Sequence, residues 1–403
     1  MYGALRYLVV VGNLALAASA TAGGFSVREQ SAEGQGASFA GVAAGTNGLS
    51  AMFWNPATMS QHNDFGFISE SNASLVLPNS RAKNGVGAGG ADSGNIGEWA
   101  IVPASYWVYG VNDQLTIGAA MTAPFGLTTD ARDTWAGAVH GDKSAVKTYN
   151  FNPNVAYKLT DWITLGAGAQ IEYMGVGLTS RIGGVQIVEA NADSLGFGFT
   201  AGVLIEPTAT TDIGIGFRSS ISHKLKGDGY VVPLGYVGDL KANYKSPETV
   251  TLGFRQQVSD QLTLLGGVEW SNWSRFKNLT LVADPSGAVI GQTAENWKDS
   301  WYFSAGAEYA YSDALLLRAG VAYEKSPVPD ATRTPRVPDN DRYWLSLGGS
   351  YKIKDNMTAH FAYSHVFMDD GAIDLVAGGG LPALSANFNQ HLDIVSASLT
   401  MDW

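Results

Sequence analysis

Three groups of residues carry chemistry by type and spacing. Arg218, Arg255 and Arg318 fall on the small or polar side of alternating runs, as do Glu172, Glu269, Glu308 and Glu324. An unpaired buried charge is costly, so each guanidinium there needs a partner. That partner is either one of these glutamates or a carboxylate brought by a ligand, which guanidinium grips with two parallel hydrogen bonds. His360, Ser364 and His365 stand close together and raise the question of nucleophilic catalysis. In an extended strand neighbouring residues face opposite sides, so this set does not converge on one substrate atom. Neither a Gly-x-Ser-x-Gly elbow nor a His-Glu-x-x-His zinc motif is present. Gly85-Val86-Gly87-Ala88-Gly89-Gly90 fits the spacing of a nucleotide loop, but no helix follows it. Asp339-Asn340-Asp341 and Asp369-Asp370 offer oxygens of the kind Ca²⁺ takes, and they read more simply as solvated turns. With no cysteine, disulfides, thiolate catalysis and Cys-ligated metals are excluded. Neither cofactor, metal nor enzymatic activity is expected.

The elements that position these residues are strands. The chain has 403 residues, 15% of them charged, 49 glycines and 11% aromatics. A formal charge of −11 without basic runs excludes a phosphate-driven nucleic-acid binder. Mean hydropathy near zero excludes a bundle of membrane helices. From residue 64 onward apolar and small or polar residues alternate. Leu262, Leu264, Gly266, Val268 and Trp270 oppose Thr263, Leu265, Gly267, Glu269 and Ser271. This is the period of two that strands require.

Six short turns each end at an Asp, at residues 112–113, 160–161, 210–212, 259–260, 312–313 and 354–355. Between them lie seven longer segments rich in Gly, Pro and Asp: 78–98, 127–145, 181–192, 227–241, 274–298, 326–340 and 368–387. Thirteen connections make fourteen strands, with short turns at one end and long loops at the other. That is the layout of an outer-membrane β-barrel, closed and antiparallel. Aromatics gather at strand ends. Trp107, Tyr109, Trp162 and Tyr311 lie near the short turns, and Trp270, Trp273, Trp301, Tyr343 and Trp344 near the long loops, which reads as two girdles. The last strand alternates Val395, Ala397, Leu399, Met401 and Trp403 against Ser396, Ser398, Thr400 and Asp402. Ending on an aromatic, it is the expected contact with the barrel assembly machinery.

Residues 1–22 read as a secretory signal: Arg6, an apolar run from Tyr7 to Ala18, then Ala20-Thr21-Ala22. Residues 23–60 do not alternate. They are rich in Gly, Ala and Ser, yet carry Phe25, Phe39, Leu49, Met52, Phe53 and Trp54. Apolar content of that kind packs inside something, and a fourteen-strand barrel has a lumen that needs filling. The expected organisation is 1–22 signal, 23–60 plug and 61–403 barrel. Pro103, Pro124 and Pro153 fall inside predicted strands two, three and four, and Ala123-Pro124-Phe125-Gly126 predicts a break. In lipid a wall short of hydrogen bonds must be filled or line a cavity. The plug or a passing ligand can fill it.

The segment Gly24-Phe25, Glu33-Gly34-Gln35-Gly36-Ala37, Ala40-Gly41 and Phe53-Trp54-Asn55-Pro56-Ala57 resembles the N-terminal hatch of FadL/TodX-type outer-membrane hydrocarbon transporters. The strand count and aromatic end are similar too; the final Trp403 departs from the commoner Phe. The resemblance implies passive inward transport of long-chain fatty acids or other apolar molecules, with a lateral gap at a kinked third strand. It makes Asn55, Pro56 and Ala57 the hatch motif. Pro103, Pro124, Phe125 and Gly126 become the gate. The resemblance assigns no head-group residue; by facing alone Arg218, Arg255 and Arg318 are candidate ligand contacts, with Phe25, while Val231, Val232, Leu234 and Tyr236 fit either an outer groove or ordinary loop packing. The expected partners are a hydrophobic small molecule and the lipid of a Gram-negative outer membrane, with the barrel monomeric. Competing readings are a structural or adhesive barrel with a closed lumen, and a barrel hydrolase acting through His360 or His365.

Overall fold

The computed structural model describes residues 23–46, 48–63, 66–86, 92–378 and 381–403. The expected signal and residues 87–90 of the Gly-rich motif lie outside them.

Among the described residues, fourteen antiparallel strands close into one barrel. They are β1 (Phe67–Val86), β2 (Ala100–Gly110), β3 (Leu115–Thr122, resuming as Gly126–Asp130), β4 (Lys143–Thr160), β5 (Ile163–Ile182), β6 (Val185–Thr208) and β7 (Thr211–Arg218, resuming as Ser222–Val231). The circle continues with β8 (Tyr236–Lys245, resuming as Thr249–Gln257), β9 (Leu262–Ser271), β10 (Ser300–Ala310), β11 (Leu315–Lys325), β12 (Arg342–Lys354), β13 (Met357–Met368) and β14 (Leu384–Asp402). β14 pairs with β1 from Asp402–Ile68 to Ser385–Val86, which leaves no free edge. The alternation fixes the facing. In β9, Leu264 faces outward, 46% exposed, whereas Leu265 and Glu269 are buried inside. Such an outer surface is stable only in lipid. At the end of the chain, Trp403 donates its backbone N–H to Phe67 O at 3.0 Å and its indole N–H to Ser69 Oγ at 2.9 Å.

The six short turns fall where the Asp residues predict. The long-loop expectation fails in the wall in three places, and within 274–298 residues 278–283 and 289–294 also pair as a hairpin. Residues 181–192 form a tight hairpin, β5 and β6 meeting at Gly183-Gly184, both with positive φ (57° and 81°) that glycine adopts without steric cost. Residues 227–241 are mostly strand, turning only at Val232–Leu234. β1 runs through Pro78, which pairs with Leu392, to Val86. These extensions lack an apolar face, so their sequence looks like loop. Two girdle residues also point the other way. Trp273 and Trp344 are buried in the lumen, Trp344 because its neighbour Tyr343 takes the outer face.

Residues 23–63 lie against the inner faces of the strands. The segment makes one α-helical turn (Ala32–Gly36), capped by the Ser31 hydroxyl, and three short 3₁₀ turns. It is buried nearly throughout, with Phe39, Leu49, Met52, Trp54 and Met59 joining the main hydrophobic core. The inner wall accommodates it with small residues: a Cβ on Gly214 or Gly216 would collide with the carbonyl oxygens of Ala43 or Trp54.

Candidate functional site

The wall is broken at one level in β3, β7 and β8, and a cavity of ≈ 50 Å³ lies between the breaks. The N-terminal segment contributes Ser26–Arg28 and Phe53-Trp54, and β3 contributes Pro124 and Phe125. β5 adds Gln170 and Glu172, and the far wall adds Arg218, Ile221, Pro247 and Glu269.

The β3 break is closed by the N-terminal segment. β2–β3 pairing ends at Ser105–Met121, so Pro103 keeps only Ala73 of β1 as its partner. Across the break the β3–β4 register moves by one residue, from Thr122–Asn150 to Gly126–Lys147, with 123–125 unpaired. Val27 donates its N–H to Pro124 O at 2.8 Å, and Gly126 donates to Phe25 O at 3.0 Å. The Gln30 side chain donates to Ala123 O at 2.8 Å and accepts from Ala123 N–H at 3.3 Å. The remaining groups turn to β4: Phe125 N–H donates to Thr148 Oγ1 at 2.9 Å, and Thr148 N–H to Phe125 O at 3.1 Å. Residues 25–30 thus stand in for the missing stretch of β2.

Phe25 enters a nest of rings beside the cavity. Its centroid lies 4.9 Å from Trp273, 5.5 Å from Tyr244, 5.7 Å from Trp297 and 6.1 Å from Phe125. Edge-on pairs of this kind add to the burial of each ring. Below the nest, Arg28 is buried against Glu269 (2.9 Å) and Glu324 (3.4 Å), with its guanidinium 3.8 Å from the centre of the Tyr302 ring. Burial pushes the neighbouring Glu29 carboxyl up to about 7.

Asn55-Pro56-Ala57 fastens the far end of the segment. The Asn55 amide donates to Ala43 O at 2.7 Å and Val203 O at 2.9 Å, and its oxygen accepts from Ala57 N–H at 3.0 Å. Pro56 opens the turn Pro56–His62, where no donor is needed. Ala57 is fully buried against β5, where a Cβ on Gly166 would collide with the Ala57 backbone. Asn55→Ala removes the side-chain bonds to Ala43 O and Val203 O and the cap on Ala57 N–H. It is expected to weaken docking of the segment by about 1–3 kcal/mol. Protease digestion of the folded barrel measures this, and cleavage within 23–63 no faster than in the unmodified protein would contradict it.

A closed barrel with a lumenal segment tied into a broken third strand narrows the choice of family, and the sequence decides it. Residues 13–402 match the outer membrane protein transport protein family (OMPP1/FadL/TodX). The chain belongs to the FadL/TodX family. It is 28% identical to a putative outer membrane protein of Neisseria meningitidis serogroup B, over 98% of each chain. It is 25% identical to the long-chain fatty acid transport protein of Escherichia coli, over 93% of this chain and 95% of that one. A solved structure of a Pseudomonas aeruginosa FadL homologue superimposes with a TM-score of 0.88 at 24% identity, covering 94% of this chain and 99% of that one. As a FadL/TodX member the protein resides in the bacterial outer membrane and transports; it is not an enzyme.

Within the FadL/TodX barrel the arginines separate. Arg255 and Arg318 both hold Glu308, each at 2.8 Å, and Arg255 adds Asp212 at 3.8 Å. They tie β8, β10 and β11 together beneath the segment and do not line the cavity. Arg218 does line it, donating to Phe53 O at 2.9 Å and Gln170 Oε1 at 2.6 Å. His360 faces inward, with its Nδ1 2.9 Å from Glu33, and His365 faces outward, 2.8 Å from Asp393, so the two point to opposite sides. Asp339 is not a solvated turn: it is buried and pairs with Arg342. Val232 and Leu234 sit exposed on a hairpin tip, away from the cavity. Sequence reasoning passed over Arg28, Gln30 and Thr148. The available signal was Arg28-Glu29-Gln30, three consecutive long polar side chains in a segment rich in Gly, Ala and Ser.

Proposed function

We propose that this barrel conducts hydrophobic molecules passively inward and releases them sideways, between β2 and β3, when residues 23–30 leave the break. The observation that carries the reading is the composition of the plug: four hydrogen bonds to residues 123–126 come from the N-terminal segment and none from β2. Residues 23–60 act as hatch. Withdrawal of residues 25–30 leaves an opening in the wall without breaking any strand–strand bond. The rings around Phe25 offer an apolar ligand the surface that Phe25 now covers, and the ligand's affinity for them is what drives the exchange.

Among apolar cargoes, long-chain fatty acids fit best. Arg218 is the cavity's guanidinium without an ion pair among the described residues, whereas Arg28, Arg255 and Arg318 each hold a glutamate. A fatty-acid carboxylate supplies that partner, with the alkyl chain towards the rings. A charge-assisted hydrogen bond is worth about 1.5–3 kcal/mol, or roughly 10- to 100-fold in affinity. Arg218→Met is therefore expected to lower oleate uptake by about that factor while leaving toluene uptake intact. Equal loss of both, or of neither, rejects the carboxylate assignment.

A second reading has one observation behind it. The cavity is small, ≈ 50 Å³, and the β3 break beside it is bonded by Phe25, Val27, Gln30 and Thr148, as a permanently closed structural barrel would require. Cells whose outer membrane carries this chain as sole uptake channel separate the two: oleate or toluene uptake no faster than in cells lacking it supports the structural reading. The C-terminal strand ending at Trp403 is the proposed contact with the assembly machinery, and the barrel acts as a monomer.

A further inference from the structure

The wall has a second interruption, and the N-terminal segment does not seal it. β6 pairs with β7 from Thr200–Arg218 to Ile205–Ile213, and again from Val188–Val231 to Asp193–Lys226. Residues 194–199 between these stretches have no ladder to β7, and the register moves by one residue across them. At the lower edge, Ser219 N–H donates to Phe199 O at 2.9 Å, and Phe199 N–H donates to Ser219 Oγ at 2.8 Å. Beyond that β7 turns into the barrel. Ile221 is buried and packs on the inner face of Gly196 and Gly198, where a Cβ on either glycine would collide with it. Ile221 and Ser219 also line the central cavity. β8 breaks beside them, Ser246 N–H donating to Ile221 O at 3.0 Å while Ser246 Oγ accepts from Ile221 N–H at 2.8 Å. On the lipid side Leu195, Phe197 and Phe199 are 58%, 66% and 53% exposed.

An interrupted ladder inside a membrane must be covered or must line a cavity. At β3 the cover is main chain and the Gln30 amide; here it is side chains alone, Ile221 and Ser219 with the His223 ring beside Gly196. While Gln170 donates to Phe199 O at 3.0 Å at the lower edge, the Ile221 side chain covers its part of the stretch by shape, since an isoleucine side chain offers no hydrogen bond. Two glycines opposite give it room, and a rotamer change requires no hydrogen bond to break.

We propose that the β6–β7 interruption is a second side portal, through which uncharged apolar molecules exchange between the central cavity and the membrane, with Ile221 as its shutter. It rests on the transport reading above and adds a route to it. A cargo bearing a carboxylate is held back at Arg218, which borders the portal, so this route favours hydrocarbons.

The test begins by removing the first route. Deleting Pro124 brings the β3–β4 register into line, and toluene uptake that survives the deletion is the portal's share. On that background a cysteine pair, Phe197→Cys with Ser222→Cys, spans the interruption in a chain with no cysteine of its own. Oxidation is expected to abolish the surviving uptake, and reduction to restore it. A pair within the intact ladder, Val203→Cys with Ile215→Cys, controls for bridging itself. If no uptake survives the deletion, or if surviving uptake ignores oxidation, the portal is overturned while transport through β3 stands. No uptake by the unmodified protein overturns both. Should the pair fail to insert, Ile221→Cys in the otherwise unmodified barrel decides. Labelling by a maleimide dissolved in the bilayer supports the portal, and absence of labelling under conditions that label Phe197→Cys overturns it.

Discussion

Deleting Pro124 is expected to leave a folded barrel whose uptake of hydrophobic molecules falls by at least about tenfold, because opening an intact ladder in lipid costs several kcal/mol for each backbone group exposed. The register shows why a single deletion suffices. One residue too many separates the Thr122–Asn150 pair from the Gly126–Lys147 pair, and Pro124 is the residue there with no N–H to give. Without it, residues 123–126 can pair continuously with β4 and come into register beside β2. The N-terminal segment then loses its seat: Val27 and Gln30 no longer find free partners at 124 and 123. Pro124→Ala is the informative companion. It restores a donor but keeps the extra residue, so the break persists and uptake is expected to fall less than in the deletion. Uptake unchanged by the deletion, in a barrel shown to be folded by its migration before and after heating, would remove the β3 gap from the transport path.

Replacing Arg28 with Leu is expected to dislodge the N-terminal segment from an otherwise intact wall. Arg28 is the cation that residues 23–30 offer the barrel, and it meets Glu269 of β9 and Glu324 of β11. Its removal leaves two buried carboxylates without their nearest counter-charge; breaking a buried pair in this one-sided way costs about 3–5 kcal/mol. Arg342 lies 3.7 Å from Glu324 and compensates it in part, so the larger penalty falls at Glu269. The cost falls on docking rather than on the wall, whose ladders do not pass through Arg28. Expected are faster proteolysis within 23–63, raised conductance in planar bilayers, and uptake that no longer discriminates by size. Arg28→Lys keeps the charge and recovers part of the docking, but loses the planar contact with Tyr302. If Arg28→Leu digests at the unmodified rate, the ion pairs do not hold the segment.

The strand count and the facing of the wall were legible because lipid outside and a packed lumen inside impose a strict period of two, and the Asp-ended turns mark each return of the chain. The alternation likewise put Glu172, Glu269, Glu308 and Glu324 inside with the arginines, where they are buried. The hairpins at 181–192 and 227–241 were not legible, because above the membrane both faces meet water and the apolar phase of the pattern disappears. Trp273 was misplaced for a related reason: it follows the end of β9, where alternation no longer dictates direction, and turns inward onto Phe25.

Fourteen membrane-crossing strands and a proline-weakened β3 could be read from the residues alone, and packing of the segment from residue 23 onward was the expectation they raised. What fills the weakness, which arginine borders the cavity, and the parting of β6 from β7 emerge with the folded chain. The physical reason is that side-chain alternation is written residue by residue, whereas the partner of a freed backbone N–H or C=O is any group that folding brings within reach. Phe25, Val27 and Gln30 reach β3 across about a hundred residues of chain, and no local pattern records such a meeting.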